Sequence, residues 1–117
     1  MRPFEKLDAW KLSHDLTLRV YRMTRSFPDD ERYGLTAQVR RAAASVAANV
    51  VEGSAASSKR EFGRYLGIAS RSLNEVSYWL ILSRDLEYIS RAQWHQLDEL
   101  RDRAGKVIWA LSKWLRS

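Results

Sequence analysis

The chain has 117 residues, 45% of them hydrophobic, which is the size of a single domain with one core. It contains no cysteine, so disulfides, thiolate nucleophiles and cysteine-based zinc or iron–sulfur sites are excluded. Lysine and arginine total 20 against 14 acidic residues, and the net charge of +6 favours polyanionic partners while also suiting ordinary solubility. No apolar run has the length of a secretion signal or a membrane span, so we expect a cytoplasmic protein that does not contact membranes.

The first predicted helix covers about residues 6–26. Leu12, Leu16 and Val20 recur at the spacing of one helical face, and Pro3 belongs to a short lead-in. Proline disfavours a helical residue before it, and acidic residues suit a first turn, so the segment 27–31 ends this helix and begins the next. A connection this short predicts antiparallel neighbours.

The second predicted helix covers residues 30–52 and is unusually apolar. Its polar positions form one narrow line, here called the polar seam, consisting of Gln38, Arg41, Ser45, Asn49 and Glu52. A surface helix would show a polar half, so we expect this helix to be covered on more than one side, in part by sister copies. The seam is interpreted first as a hydrogen-bonded network between helices or subunits, with ligand contact as the alternative. Gly53 is expected to end the helix in the left-handed conformation.

Two capping-box patterns place the remaining helices. Ser58 precedes Glu61 by three residues, and Ser90 precedes Gln93 by the same spacing. These patterns predict helices over residues 59–85 and 91–115, each with apolar residues at helical spacing, and no segment alternates like a strand. The sequence therefore predicts an all-α fold, an antiparallel up-down-up-down four-helix bundle that forms one domain over residues 1–117.

Two blocks of sequence carry a family resemblance. They are ERYGLTAQVRRAA at 31–43 and SVAANVVEG at 45–53, supported by Glu61-Phe62, residues 65–69 and residues 85–89. With them the chain resembles, from Phe4 to about Leu115, the four-helix bundle proteins encoded in intervening sequences of bacterial 23S rRNA genes. The resemblance implies a ring-shaped homo-oligomer, a pentamer with a central channel. It also implies similarity in fold to the accessory protein of diversity-generating retroelements, which works with a reverse transcriptase and nucleic acid.

Basic residues are predicted to gather at one end of the bundle. In the expected topology, that end carries seven basic and three acidic residues, while the other carries four arginines and five acidic residues. Repeated around a ring, the basic end becomes a rim that suits phosphate backbones through charge rather than through base reading. The alternative is a set of solvated helix ends. The candidate nucleic-acid-binding residues are Lys59, Arg60, Arg64, Arg71, Lys113 and Arg116.

The aromatic residues are assigned to packing rather than to base stacking. Trp10, Trp94 and Trp109 lie among apolar helical stripes and are expected in the core or at a subunit contact. Tyr78 and Trp79 lie partly off the main stripe of their helix. Because aromatic residues are enriched at interfaces, they are the candidates for a surface between protomers.

The sequence contains no pattern typical of catalysis. His14 and His95 belong to different helices, and neither follows a glutamate at the spacing of di-iron bundles. We therefore expect no catalytic residue, no metal site, no cofactor and no enzymatic activity. The favoured function is a basic homo-oligomeric bundle that contacts RNA or DNA, as an accessory to a nucleic-acid enzyme. The alternative is a structural protein that scaffolds a protein partner.

Overall fold

The computed structural model describes all residues, Met1–Ser117, and contains four long helices and no strand. This confirms the predicted all-α class. Short 3₁₀ helices cover Pro3–Lys6 and Asp29–Glu31. No helix carries a stretch of the length and apolar character that crossing a bilayer requires. The long helices are α1 (Asp8–Thr24), α2 (Leu35–Ser54), α3 (Lys59–Asp85) and α4 (Arg91–Arg116).

The helices pack as a bundle around one main core. Each helix contacts the two that adjoin it, in the cyclic order α1, α2, α3, α4, and the molecule measures 43 × 24 × 23 Å. Leu16, Val46 and Ile108 are among the fully buried side chains. Along α2 and α3 the contacts run in opposite order, since Ser45 meets Ser72 and Gly53 lies against Phe62. The predicted bundle packing is confirmed.

The starts of α3 and α4 test the two capping predictions. The Ser90 hydroxyl accepts from the Gln93 amide at 3.1 Å, and the Gln93 side chain accepts from the Ser90 amide at 2.8 Å, so this box is complete. The Ser58 hydroxyl likewise accepts from the Glu61 amide at 3.1 Å. The Glu61 carboxylate, however, accepts from Arg64 at 2.6 Å instead of reaching back. The second half of that predicted box is wrong because a charged donor lies one turn away.

Helix α2 begins five residues later than predicted. The acidic residues Asp29–Glu31 form a 3₁₀ turn, and Gly34 adopts φ −104° and ψ −115°, which no helical residue has. The Glu31 carboxylate accepts from the amide of Leu35 at 3.2 Å. The Glu31 carboxylate therefore bonds to the first amide of α2 from a position before the helix, rather than from within its first turn.

The prediction for Gly53 is also wrong. No glycine has a positive φ, and Gly53 lies within α2, which continues to Ser54. A Cβ atom at this position would lie 2.8 Å from Cδ1 of Phe62 and 2.9 Å from Cβ of Tyr65. The glycine thus allows α2 and α3 to approach closely. The one left-handed residue is Glu87, at φ 63°, in the connection between α3 and α4.

Candidate nucleic-acid interface

A basic groove lies where the start of α3 meets the end of α4. Lys59, Arg60 and Gly63 line it from α3, and Leu115 and Arg116 line it from α4. No acidic residue is part of this lining. Lys59 and Arg60 occupy the first turn of α3, where the helix macrodipole is itself positive, so the helix end adds to the positive potential of the groove.

Two exposed tryptophans of α4 have lysines held against their rings, and one of them, Trp114, borders the groove through Lys59, whereas Lys113 and Trp109 are outside the lining. The Lys59 ammonium lies 5.3 Å from the ring centroid of Trp114, and the Lys113 ammonium lies 5.2 Å from that of Trp109. The tryptophans are 62% and 59% exposed, respectively. The sequence predicts Trp109 in the core or at a subunit contact, and the core position is wrong because Ile108 takes the inward position of this turn, while the subunit contact stays a prediction. The exposed position of Trp114 is not predicted from the sequence. A signal for it exists, because Leu115 belongs to the apolar stripe of α4 and the residue directly before it therefore lies on another face of the helix.

Arg64 and Arg71 lie outside the basic groove. The guanidinium of Arg64 donates to Glu61 and lies 4.6 Å from the centroid of the Tyr65 ring. The hydrogen bond from Arg64 lowers the pKa of Glu61 below its ordinary value and raises the pKa of Arg64. Arg71 is exposed and forms no ion pair. Three of the six candidate residues, Lys59, Arg60 and Arg116, therefore share one surface.

The polar seam of α2 faces α3. The Ser45 hydroxyl lies 3.0 Å from the Ser72 hydroxyl, and the Asn49 amide nitrogen donates to the Ser45 carbonyl at 2.8 Å and to its hydroxyl at 3.1 Å. The contact between Ser45 and Ser72 connects the middle of the two helices, and the bonds from Asn49 to Ser45 remain within α2. They give the half-buried seam the partners that such polar groups need.

Arg41 continues the seam with a charged contact. Its guanidinium donates to the carboxylate of Glu75 on α3 and to the Gln38 side chain at 3.0 Å. The indole N–H of Trp79 donates to the same carboxylate at 3.0 Å. The acidic partner of Arg41 is thus Glu75 rather than Glu52, which is exposed and forms no ion pair.

The remaining sequence candidates are not part of the basic groove. Tyr78 is 56% exposed, and its ring centroid lies 5.2 Å from that of the half-buried Trp79. His14 is exposed and stacks on Trp10 at 4.7 Å, and His95 is also exposed. No three histidine, aspartate or glutamate side chains gather in a way that could hold a metal ion.

The comparison with known proteins agrees with the fold. The sequence pattern of the family described as 23S rRNA-intervening sequence protein matches residues 5–110, which confirms the resemblance carried by the blocks at 31–43 and 45–53. The chain is also similar to the crystal structure of a protein of unknown function from the S23 ribosomal protein family of Bacteroides thetaiotaomicron. That similarity has a TM-score of 0.80 at 26% identity and covers 90% of this chain and 98% of the other. No curated protein matches the sequence.

Proposed function

Since the chain belongs to the 23S rRNA-intervening sequence protein family, we propose that it is a non-catalytic protein that binds the phosphate backbone of RNA or DNA. The observation that carries the proposal is the convergence of Lys59, Arg60 and Arg116 on one groove with no acidic lining residue. Backbone phosphates need cations along an open surface and no fixed base geometry. An open groove with three cations from two helix ends has this character.

The exposed tryptophans favour a single strand as the ligand. Unpaired bases stack on accessible aromatic rings, and this contact tolerates any sequence. Trp114 offers such a ring within reach of the Lys59 ammonium. In this proposal a base stacks on the exposed part of the ring, while the lysine held against the ring contacts the neighbouring phosphate.

We propose that the bundle is antiparallel, up-down-up-down, and that copies of it assemble into a ring, a pentamer as the family resemblance implies. The opposite order of contacts along α2 and α3 supports the topology, which brings the end of α4 to the start of α3. The exposed ring of Tyr78 supports the assembly, because aromatic residues are enriched at subunit contacts. In such a ring the basic groove repeats as a rim.

The cellular setting follows from the same proposal. We expect the protein to work in the cytoplasm as an accessory to a nucleic-acid enzyme, without chemistry of its own. The alternative function, a scaffold for a protein partner, is favoured by the 56% exposure of Tyr78, since such a ring is a typical anchor in protein interfaces.

Salt-dependent binding of a labelled, mixed-sequence, single-stranded RNA of about 30 nucleotides tests the proposal. Between about 50 and 200 mM salt, affinity is expected to fall by roughly tenfold to a hundredfold, because three or four phosphate contacts release counterions. The double variant Arg60→Glu/Arg116→Glu should weaken binding strongly. The matched control, Arg22→Glu/Arg91→Glu, changes the charge equally at exposed arginines outside the groove and should weaken it far less.

Two results would contradict the proposal. One is the absence of RNA binding by the native protein at about 50 mM salt, where backbone contacts are strongest. The other is an equal loss of RNA affinity in both double variants, which would mean that binding depends on the net charge of the protein and not on the groove. Mass measurement of the native protein in solution tests the ring separately, and a stable monomer would remove the rim.

A further inference from the structure

A second cationic surface lies between the end of α1 and the start of α2. It is a pocket of about 590 Å³, here called the arginine pocket and defined by Tyr21, Thr24, Arg25, Arg32, Thr36 and Arg40. Arg41, which pairs with Glu75, and Asp29 also line it, so Arg25, Arg32 and Arg40 face one carboxylate, a formal charge of +2. The buried side chains of Phe27 and Leu35 hold the connecting segment against the bundle and so bring Arg32 beside the two helices.

Arg40 is the fixed member of this pocket. Its Nε donates to the hydroxyl of Thr24 at 2.7 Å, its Nη2 donates to the Tyr21 carbonyl at 3.5 Å, and its guanidinium lies 4.7 Å from the Tyr21 ring centroid. The Thr24 hydroxyl is buried and donates to the Val20 carbonyl at 2.9 Å. A guanidinium has five N–H donors, so at least three donors of Arg40 have no partner in the protein.

Other donors at the pocket are free as well. The side chains of Arg25 and Arg32 form no ion pair and no hydrogen bond within the protein. The amides of Thr36 and Ala37, in the first turn of α2, have no hydrogen-bond partner, and both residues line the pocket. The nearby Glu31 carboxylate is outside the lining and is already bonded to the Leu35 amide and the Tyr88 hydroxyl.

These charges and donors lack a counterpart in the protein. Arg25, Arg32 and Arg40 around one concave surface repel one another, and Asp29 offsets only one of their charges. A phosphate group offsets more than one charge and accepts several hydrogen bonds from guanidinium groups in paired geometry. Free amides at a helix start bind the same group, because their N–H bonds and the helix macrodipole favour an anion.

We propose that the arginine pocket binds the phosphate groups of a phosphorylated ligand. The ligand is either a small molecule such as a nucleotide, whose size the volume of 590 Å³ suits, or one backbone segment of a bound nucleic acid. The pocket shares no residue with the basic groove. It can therefore bind phosphate whether or not the groove binds RNA.

Calorimetric titration of the full chain with inorganic pyrophosphate at about 50 mM salt tests this site. The native protein is expected to bind pyrophosphate, and Arg25→Gln/Arg32→Gln should reduce the affinity at least about tenfold, because two charged donors are lost. The matched control, Arg22→Gln/Arg91→Gln, removes two exposed arginines that are outside the pocket and should change the affinity less than about twofold. Circular dichroism checks that both variants remain helical.

A parallel titration with the single-stranded RNA separates the two sources of phosphate. If Arg25→Gln/Arg32→Gln weakens binding of both pyrophosphate and RNA, the pocket holds the backbone, and if only pyrophosphate binding weakens, it holds a small ligand. Failure of the native protein to bind pyrophosphate overturns the proposal, as does equal loss of affinity in the control. A change of oligomeric mass in Arg25→Gln/Arg32→Gln without any pyrophosphate binding overturns it too, since the arginines would then meet a second copy.

Discussion

The basic groove and the arginine pocket are both cationic, but they hold their cations differently. In the groove, Lys59 lies over an exposed indole ring at the open junction of two helix ends. In the pocket, Arg40 is fixed by a buried threonine hydroxyl inside a concave surface. An open surface suits an extended strand, whereas a concave surface with fixed donors suits a compact anion.

The difference shows that the net charge of an end of the bundle says little about its surfaces. Counted by ends, Arg25 and Arg32 belong to the less basic half of the molecule. Of the acidic residues of that half, only Asp29 lines the arginine pocket, whereas Asp85 pairs with Arg84 at 2.9 Å and Glu31 bonds to the Leu35 amide at the start of α2. Binding depends on which side chains share one surface rather than on the sum over an end.

The largest effect is expected at Gly53, which sets the spacing of α2 and α3 near the basic groove. Gly53→Ala should lower the free energy of unfolding by about 2 kcal/mol, because the new methyl group overlaps Phe62 and the Cβ of Tyr65. Urea denaturation measures the loss. Gly67→Ala is the control, since a Cβ there has no neighbour within 4 Å, and it should stabilise the protein by up to about 1 kcal/mol. Equal free energies of unfolding for the two variants would show that the close approach of α2 and α3 at Gly53 does not contribute to stability.

The next effect distinguishes the pocket from the groove. Thr24→Val keeps the shape of the side chain but removes the acceptor that holds the Nε of Arg40. Pyrophosphate affinity is expected to fall by about tenfold, which corresponds to one charged hydrogen bond used for positioning. Titration calorimetry measures the change. Binding through the basic groove should be unaffected under the same conditions, and an unchanged pyrophosphate affinity would mean that the position of Arg40 does not matter.

A smaller effect is expected at the ring beside the groove. Trp114→Ala should weaken single-stranded RNA by about fivefold, because one stacking contact and the ring under Lys59 are lost. Duplex RNA, whose bases are already stacked, should lose less. Fluorescence anisotropy with both RNAs measures the difference, and Trp114→Phe should retain most of the affinity. Equal losses for single-stranded and duplex RNA would argue against stacking.

The smallest effect concerns the ion pair beside the groove. Glu61→Gln frees Arg64 and should raise RNA affinity about twofold to threefold at neutral pH. In the native protein the hydrogen bond from Arg64 lowers the pKa of Glu61 below the ordinary value of 4.5. The carboxylate therefore stays charged above pH 4.5. The ion pair with Arg64 is lost only as the pH falls through the lowered pKa. RNA affinity should therefore rise at that acidic pH in the native protein, and this rise should be absent in Glu61→Gln. A pH series of anisotropy titrations checks it.

Elements that depend on local signals can be predicted from the sequence. The bounds of α3 follow from the Ser58 cap and the apolar repeat, and both agree with the structure. The start of α2 could not be predicted in the same way, because Asp29–Glu31 has the composition of a first helical turn. Its exclusion from the helix depends on the backbone of Gly34 and on the contact between Glu31 and Leu35. Such side-chain to backbone hydrogen bonds compete with helix formation, and the sequence pattern does not show which of the two prevails.

The candidate sites show the same limit. Lys59, Arg60 and Arg116 share a surface because they lie at helix ends whose positions the sequence predicts. The arginine pocket combines three segments, and the positions 25, 32 and 40 follow no single helical period. Only the path of the connection between α1 and α2 brings them together, and that path depends on the burial of Phe27 and Leu35.

The pairing of cations with rings has a consequence for the thermodynamics of both surfaces. Lys59, Lys113 and Arg40 each lie 4.7–5.3 Å from a ring centroid before any ligand arrives. Long side chains normally lose rotamer freedom when they bind a partner, and this loss of conformational entropy opposes association. Here part of that conformational entropy is already given up in the folded chain. Both surfaces therefore meet their ligand in a preorganised state.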